Sequence, residues 1–153
     1  MKKRAFTLIE VLLVIGIIVL LAGAIIVAIN PARQFQKTRN TQRTTDTLAI
    51  RNAIAQLQVD NQGRWVCTSS QNYQNSLPTN TTYIIATGTE SANQINLSCL
   101  VPDYLQRLPR DPSLDPNATE TQYTVRINET EGNRLEVCAP NTEPAGSSPI
   151  CSR

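Results

Sequence analysis

The sequence predicts an α+β fold: a long N-terminal α-helix, transmembrane and then amphipathic, packed on a small antiparallel β-sheet head. Three observations carry this. Residues 6–29 form an apolar run broken only by Thr7 and Glu10. Ile50, Ile54 and Leu57 then recur at helical spacing. Beyond residue 64 the pattern changes to short runs that alternate or are β-branched, separated by polar turns.

Residues 6–29, 24 in number, make a helix about 36 Å long, enough to cross a hydrocarbon core of about 30 Å. An ordinary signal-peptide apolar region has roughly 7–15 residues, so the run reads as a retained anchor. Ala22-Gly23-Ala24 has the small side chains of a cleavage site, but apolar residues continue beyond it to Ile29. Lys2, Lys3 and Arg4 precede the run, and Arg33, Lys37, Arg39 and Arg43 follow it, so loop charge alone does not orient it. Glu10 is the costly residue: a carboxylate at membrane depth needs neutralisation, a route to the headgroups or a partner. No basic side chain lies within the run, whereas a cut before Phe6 would create an α-amine four residues upstream.

Asn30-Pro31 ends the run, and a helix break or kink is expected at Pro31. Gly16 and Gly23 weaken helix propensity or allow close helix packing. The chain then reads as polar helix to Asn61-Gln62-Gly63, a stop signal. Its stripe Ile50, Ile54 and Leu57, with Ala49 and Ala53 beside it, faces a core. Residues 36–47 are almost wholly polar, which suits an exposed rod. The basic residues 33–43 form a solvated face that meets acidic neighbours rather than a nucleic-acid site.

The head contributes strands at 81–87, 94–100, 122–128 and 134–139, the last two joined as a hairpin through residues 129–133. Three or four antiparallel strands are expected on the helix stripe. The four cysteines, Cys67, Cys99, Cys138 and Cys151, contain no C-x-x-C pair, which argues against zinc and for disulfides in an exported head. Three pairings are possible; Cys67–Cys99 and Cys138–Cys151 are favoured as nearest in sequence. This also places the C-terminal part outside and the N-terminus inside. Beyond residue 60, six arginines face nine carboxylates, so the formal charge of +2 describes no general nucleic-acid binder. With no histidine in the chain, imidazole bases and His ligands are excluded, and no nucleophile–base pair or phosphate loop is visible. No enzyme and no cofactor are expected. Asp103, Asp111 and Asp115 are calcium candidates by residue type alone, in a spacing that fits no EF-hand. Four N-x-[ST] sequons, at Asn80, Asn96, Asn117 and Asn128, reflect the Asn- and Thr-rich composition.

The stretch Lys2-Lys3-Arg4-Ala5-Phe6-Thr7-Leu8-Ile9-Glu10-Val11, followed by the apolar run, resembles the class III signal of type IV pilins and type II secretion pseudopilins. The resemblance implies that a prepilin peptidase cuts between Ala5 and Phe6 and methylates the new Phe6 amine. It makes Glu10 the assembly carboxylate, and the chain a subunit of a filament of its own copies, with minor pilins and an inner-membrane assembly platform as further partners. Alanine at position 5 departs from the usual glycine. Leu108-Pro109-Arg110-Asp111-Pro112 is similar to a segment of major pseudopilins, in which Trp-Gly often follows and a nearby loop can hold calcium; here Ser113-Leu114 follows. A C-terminal disulfide-bounded loop is the pilin feature. The implied organisation is a leader at 1–5, a membrane and assembly helix at 6–29, a polar-amphipathic continuation at 30–62 and an extracytoplasmic head at 63–153. A membrane-anchored binding module that never polymerises is the competing reading.

Overall fold

A computed structural model describes residues 6–64, 67, 81–87, 93–115 and 117–153. Residues 1–5, expected as the leader and including Ala5, and Asn80 lie outside the described residues. Two compact units divide at Gln36/Lys37.

The first unit contains helix α1, Leu8–Ile29, which runs unbroken through Gly16 and Gly23 and buries none of its residues. Twenty-two residues give a length of about 33 Å, sufficient for the bilayer core. The helix ends where Asn30 adopts a left-handed conformation (φ 48°, ψ 82°). Pro31 then opens α2, Pro31–Asp60, at the first helical position, where a missing N–H costs nothing. Asn30 serves both helices: it caps the end of α1, and its carbonyl and side-chain oxygens accept from the Arg33 N–H at 3.1 and 3.4 Å.

The second unit is built on the remainder of α2. Its buried face is Arg43, Thr47, Ile50, Ala53, Ile54 and Leu57, two turns longer than the apolar stripe. Residues 36–47 are therefore not an exposed rod, because their polar character conceals two fully buried side chains, Arg43 and Thr47. The helix stops after Asp60, where Gln62 and Gly63 take positive φ and the Gly63 N–H reaches the Gln58 carbonyl at 2.7 Å.

The sheet has five strands: β1 (Tyr83–Ala86), β2 (Gln94–Asn96), β3 (Glu120–Asn128), β4 (Arg134–Ala139) and β5 (Ile150–Ser152), in the order β2-β1-β3-β4-β5. It is mixed, not purely antiparallel, because β2 runs parallel to β1 with Ile85 opposite Ile95. Alternation in sequence assigns faces to a strand but not its direction. The 94–100 run also breaks early: Asn96 Oδ1 accepts from the Ser98 N–H, turning the chain into a 3₁₀ turn at Ser98–Leu100. The β3–β4 hairpin pairs Asn128 with Arg134, and Gly132 at φ 78° closes its five-residue loop. One core joins Ile50, Ile54 and Leu57 of the helix to Ile85, Ile95, Leu100, Tyr123, Val125 and Val137.

Cys67–Cys99 has a Cα separation of 5.5 Å and spans 32 residues. Cys138–Cys151 joins residues directly opposite on β4 and β5, with a Cα separation of 4.1 Å. Replacing Cys67 and Cys99 by serine is expected to lower head stability by about 3 kcal/mol, read as a lower denaturation midpoint in otherwise identical detergent solutions.

Candidate functional site

The first candidate segment is the start of α1. Thr7 is extended (φ −82°, ψ 149°) and caps the helix, its Oγ1 accepting from the Glu10 N–H at 3.4 Å. Thr7-Leu8-Ile9-Glu10 is thus a Thr-x-x-Glu capping pattern, which places the carboxylate in the first turn at the positive end of the helix dipole. This local role of Thr7 was legible as a capping motif but is masked by the apolar run around it. The Glu10 carboxylate has no hydrogen-bond or ion-pair partner among the described residues. Phe6 precedes the helix and is 79 % exposed, so the peptide bond before it adjoins non-helical chain. The large apolar side chains of α1, from Leu8 to Ile29, are exposed throughout, a surface that water does not tolerate.

The second candidate region is the charge cluster where α2 meets the head. Arg43 is fully buried, and Asp111, from the 105–115 segment, is 3 % exposed. Arg43 Nε donates to Asp111 Oδ2 at 2.8 Å and a terminal guanidinium nitrogen donates to Oδ1 at 2.9 Å. Ser113 adds its N–H at 2.9 Å and its hydroxyl to the same Oδ1. Burial pushes the Asp111 carboxyl up, but the hydrogen bonds from Arg43 and Ser113 outweigh it and hold the group below its ordinary range. One turn earlier, Arg39 binds Glu143 in the 140–149 loop, lowering that carboxyl through the hydrogen bond. Asn40 pairs both ways with the Glu143 backbone, donating to its carbonyl and accepting from its N–H at 3.1 Å. Two consecutive polar turns of α2 thus fasten both the Leu108–Pro112 segment and the C-terminal disulfide loop.

Both oxygens of Asp111 accept hydrogen bonds, Oδ2 from Arg43 and Oδ1 from Arg43 and Ser113. Asp115 accepts from the Asn117 N–H at 2.8 Å, and Asp103 is exposed. The structure does not gather these three aspartates into a cluster. Among the described residues the one close grouping of potential ligands is Glu136, Cys138 and Cys151. Its sulfurs are joined to each other, and its carboxylate is held by Arg126 and Arg153, at 2.6 and 2.9 Å.

Between residues 38 and 59 the charges of α2 are arranged inside out. From Thr38 to Val59 the charged residues are Arg39, Arg43, Asp46 and Arg51, and none is exposed. Arg39 and Arg43 bind the head as described, Asp46 accepts from the Tyr123 hydroxyl at 2.7 Å, and Arg51 has its Nε buried. The exposed side chains over the same stretch are Thr38, Thr41, Gln42, Thr44, Thr45, Leu48, Asn52, Ala55, Gln56 and Val59, all uncharged. A solvated helix face normally carries the charges.

Residues 1–26 match the family described as the prokaryotic N-terminal methylation motif. This is the class III signal of type IV pilins and pseudopilins, and it covers the leader, Phe6, Glu10 and most of α1. No curated protein and no solved structure matches the chain.

Proposed function

We propose that this chain, a carrier of the N-terminal methylation signal, is a structural subunit of a type IV pilus-like filament. A prepilin peptidase cuts between Ala5 and Phe6, the Phe6 amine is methylated, and copies polymerise through the apolar helix. The observation that carries the reading is the match over residues 1–26 to a signal whose helix, Leu8–Ile29, exposes its entire apolar surface. Before assembly that surface is covered by lipid, in a single-pass precursor with the N-terminus inside and the head outside; afterwards it is covered by other copies. An assembly platform in the cytoplasmic membrane lifts the subunit from one environment to the other. The uncharged outward face of α2 between residues 38 and 59 supports the same reading, because a neighbouring copy can pack on it without burying an unpaired charge.

A pseudopilin of a secretion or DNA-uptake system is the second reading, favoured by Leu108-Pro109-Arg110-Asp111-Pro112. The pilus reading is preferred on the C-terminal loop closed by Cys138–Cys151, which Arg39 and Asn40 hold against α2.

The test is the mature N-terminus. Protein recovered from sheared surface filaments should begin at N-methylated Phe6. A chain that still begins at Met1 identifies a membrane-anchored monomer instead and overturns the filament reading. Ala5→Leu should block the cut, leaving full-length precursor in the membrane with the head folded, because the peptidase must accommodate the residue preceding the bond.

A further inference from the structure

The head carries a cleft of about 940 Å³ between α2 and the 98–115 segment, with Asp46 in its wall. Val101, Leu108, Pro109 and Leu114 supply apolar surface, and Arg107, Arg110, Asp111 and Asp115 are the other charged groups that line it. Asp111 is consumed by Arg43. Asp46 is half-buried and its Oδ2 accepts from Tyr123, while its second oxygen has no partner among the described residues. Arg107 makes no ion pair with it. The wall is mixed, apolar at Val101, Leu108, Pro109 and Leu114 and charged elsewhere, and Arg107 acts on Asp46 through space without a salt bridge, so the unpaired oxygen is still open to a cation on an aliphatic stem.

The chain supplies one such group. Lys37 is the sole lysine beyond the leader, it is exposed, and its ammonium has no partner among the described residues. It stands at the N-terminal end of the uncharged outward face of α2. Lys37 and Asp46 are nine positions apart on one helix, hence about 13 Å apart along the axis and half a turn round it. A lysine cannot bridge that within its own chain. Two copies stacked so that the outward face of one meets the cleft side of the next can bring them together, and a contact between different faces whose rotation does not close builds an open helix, as a filament requires.

We propose that the Asp46 cleft receives the Lys37 ammonium of a second copy of this chain. The pairing rests on the filament reading above, and it adds to that reading a named contact between heads, with neighbours offset along the helix by roughly the span separating the two residues. It also gives a role to the exposed Lys37 at the end of the outward face: the charge is matched by the carboxylate in the neighbouring cleft.

The experiment is zero-length coupling with a water-soluble carbodiimide on filaments sheared from cells, followed by peptide mass spectrometry. The expected product is an interchain amide between Lys37 and Asp46, absent from detergent-solubilised monomer. Lys37→Arg should keep the filaments and lose the product, since the charge remains and the amine does not. Asp46→Asn keeps the acceptor for Tyr123, so the head should melt unchanged while filament yield falls about fivefold, the scale of a half-exposed ion pair. Filaments whose Lys37 is uncoupled, or coupled to another carboxylate, overturn the pairing and leave the filament reading standing. Unprocessed chain with no filaments overturns both.

Discussion

Arg43→Ala should unfold the head at markedly lower denaturant than the parent chain, a loss of about 3–5 kcal/mol. The substitution leaves Asp111 buried with hydrogen bonds from Ser113 alone, and an uncompensated buried carboxylate is costly. The pair is not itself a large source of stability, since two charges must be dehydrated to form it. Arg43→Met with Asp111→Leu should therefore cost much less than the two single changes added together, and equal additivity would refute the account. Acid should act through the same residue. The Asp111 carboxyl is held below its unfolded value, so its contribution is present at neutral pH and is lost as pH falls below about 4 toward the folded pKa. Glu143, lowered by Arg39, moves in the same direction. In Arg43→Ala burial is opposed by Ser113 alone, so the Asp111 contribution to this acid limb should weaken or reverse, which thermal melts over a pH series would register.

The Arg43–Asp111 pair also shows where a reading of sequence stops. An apolar run declares its environment residue by residue, so α1 and the Ile50–Leu57 stripe were visible, as was the β3–β4 hairpin, whose turn residues are local. A buried arginine has the composition of a surface one. Its partner lies 68 residues away, so nothing near position 43 reveals that the polar stretch 36–47 is inside. The same distance effect hides the parallel β1–β2 pairing and the three-residue β5, which exists as a strand because β4 lies beside it. Asp111 was picked out as a calcium candidate for its carboxylate; the structure gives that carboxylate to arginine. At the N-terminus the balance is reversed. Phe6 and Glu10 were singled out from a short contiguous signal, which the motif match over residues 1–26 contains, and the fold adds the cap at Thr7.

Glu10→Ala is expected to leave membrane insertion and head folding intact while reducing surface filaments by more than about a hundredfold, the scale of a buried charge left without its partner. Insertion survives because the substitution makes the span more apolar, removing a group that lipid disfavours. The helix survives because the carboxylate at its first turn contributes at most about 1 kcal/mol through the dipole, and Thr7 still caps the Glu10 amide position through its own oxygen. On the proposed reading, what is lost is an acceptor for the Phe6 amine that cleavage would create. Glu10→Gln separates this charge role from the capping one: glutamine satisfies a Thr-x-x-Glu/Gln cap but carries no charge. If filament yield depends on the ion pair, Gln and Ala should be equally defective, as counted by shearing and quantifying surface protein against precursor in the membrane. Normal assembly of the Gln variant would reduce Glu10 to a helix cap, and would leave the apolar face of α1 to drive assembly without a charge to set its register.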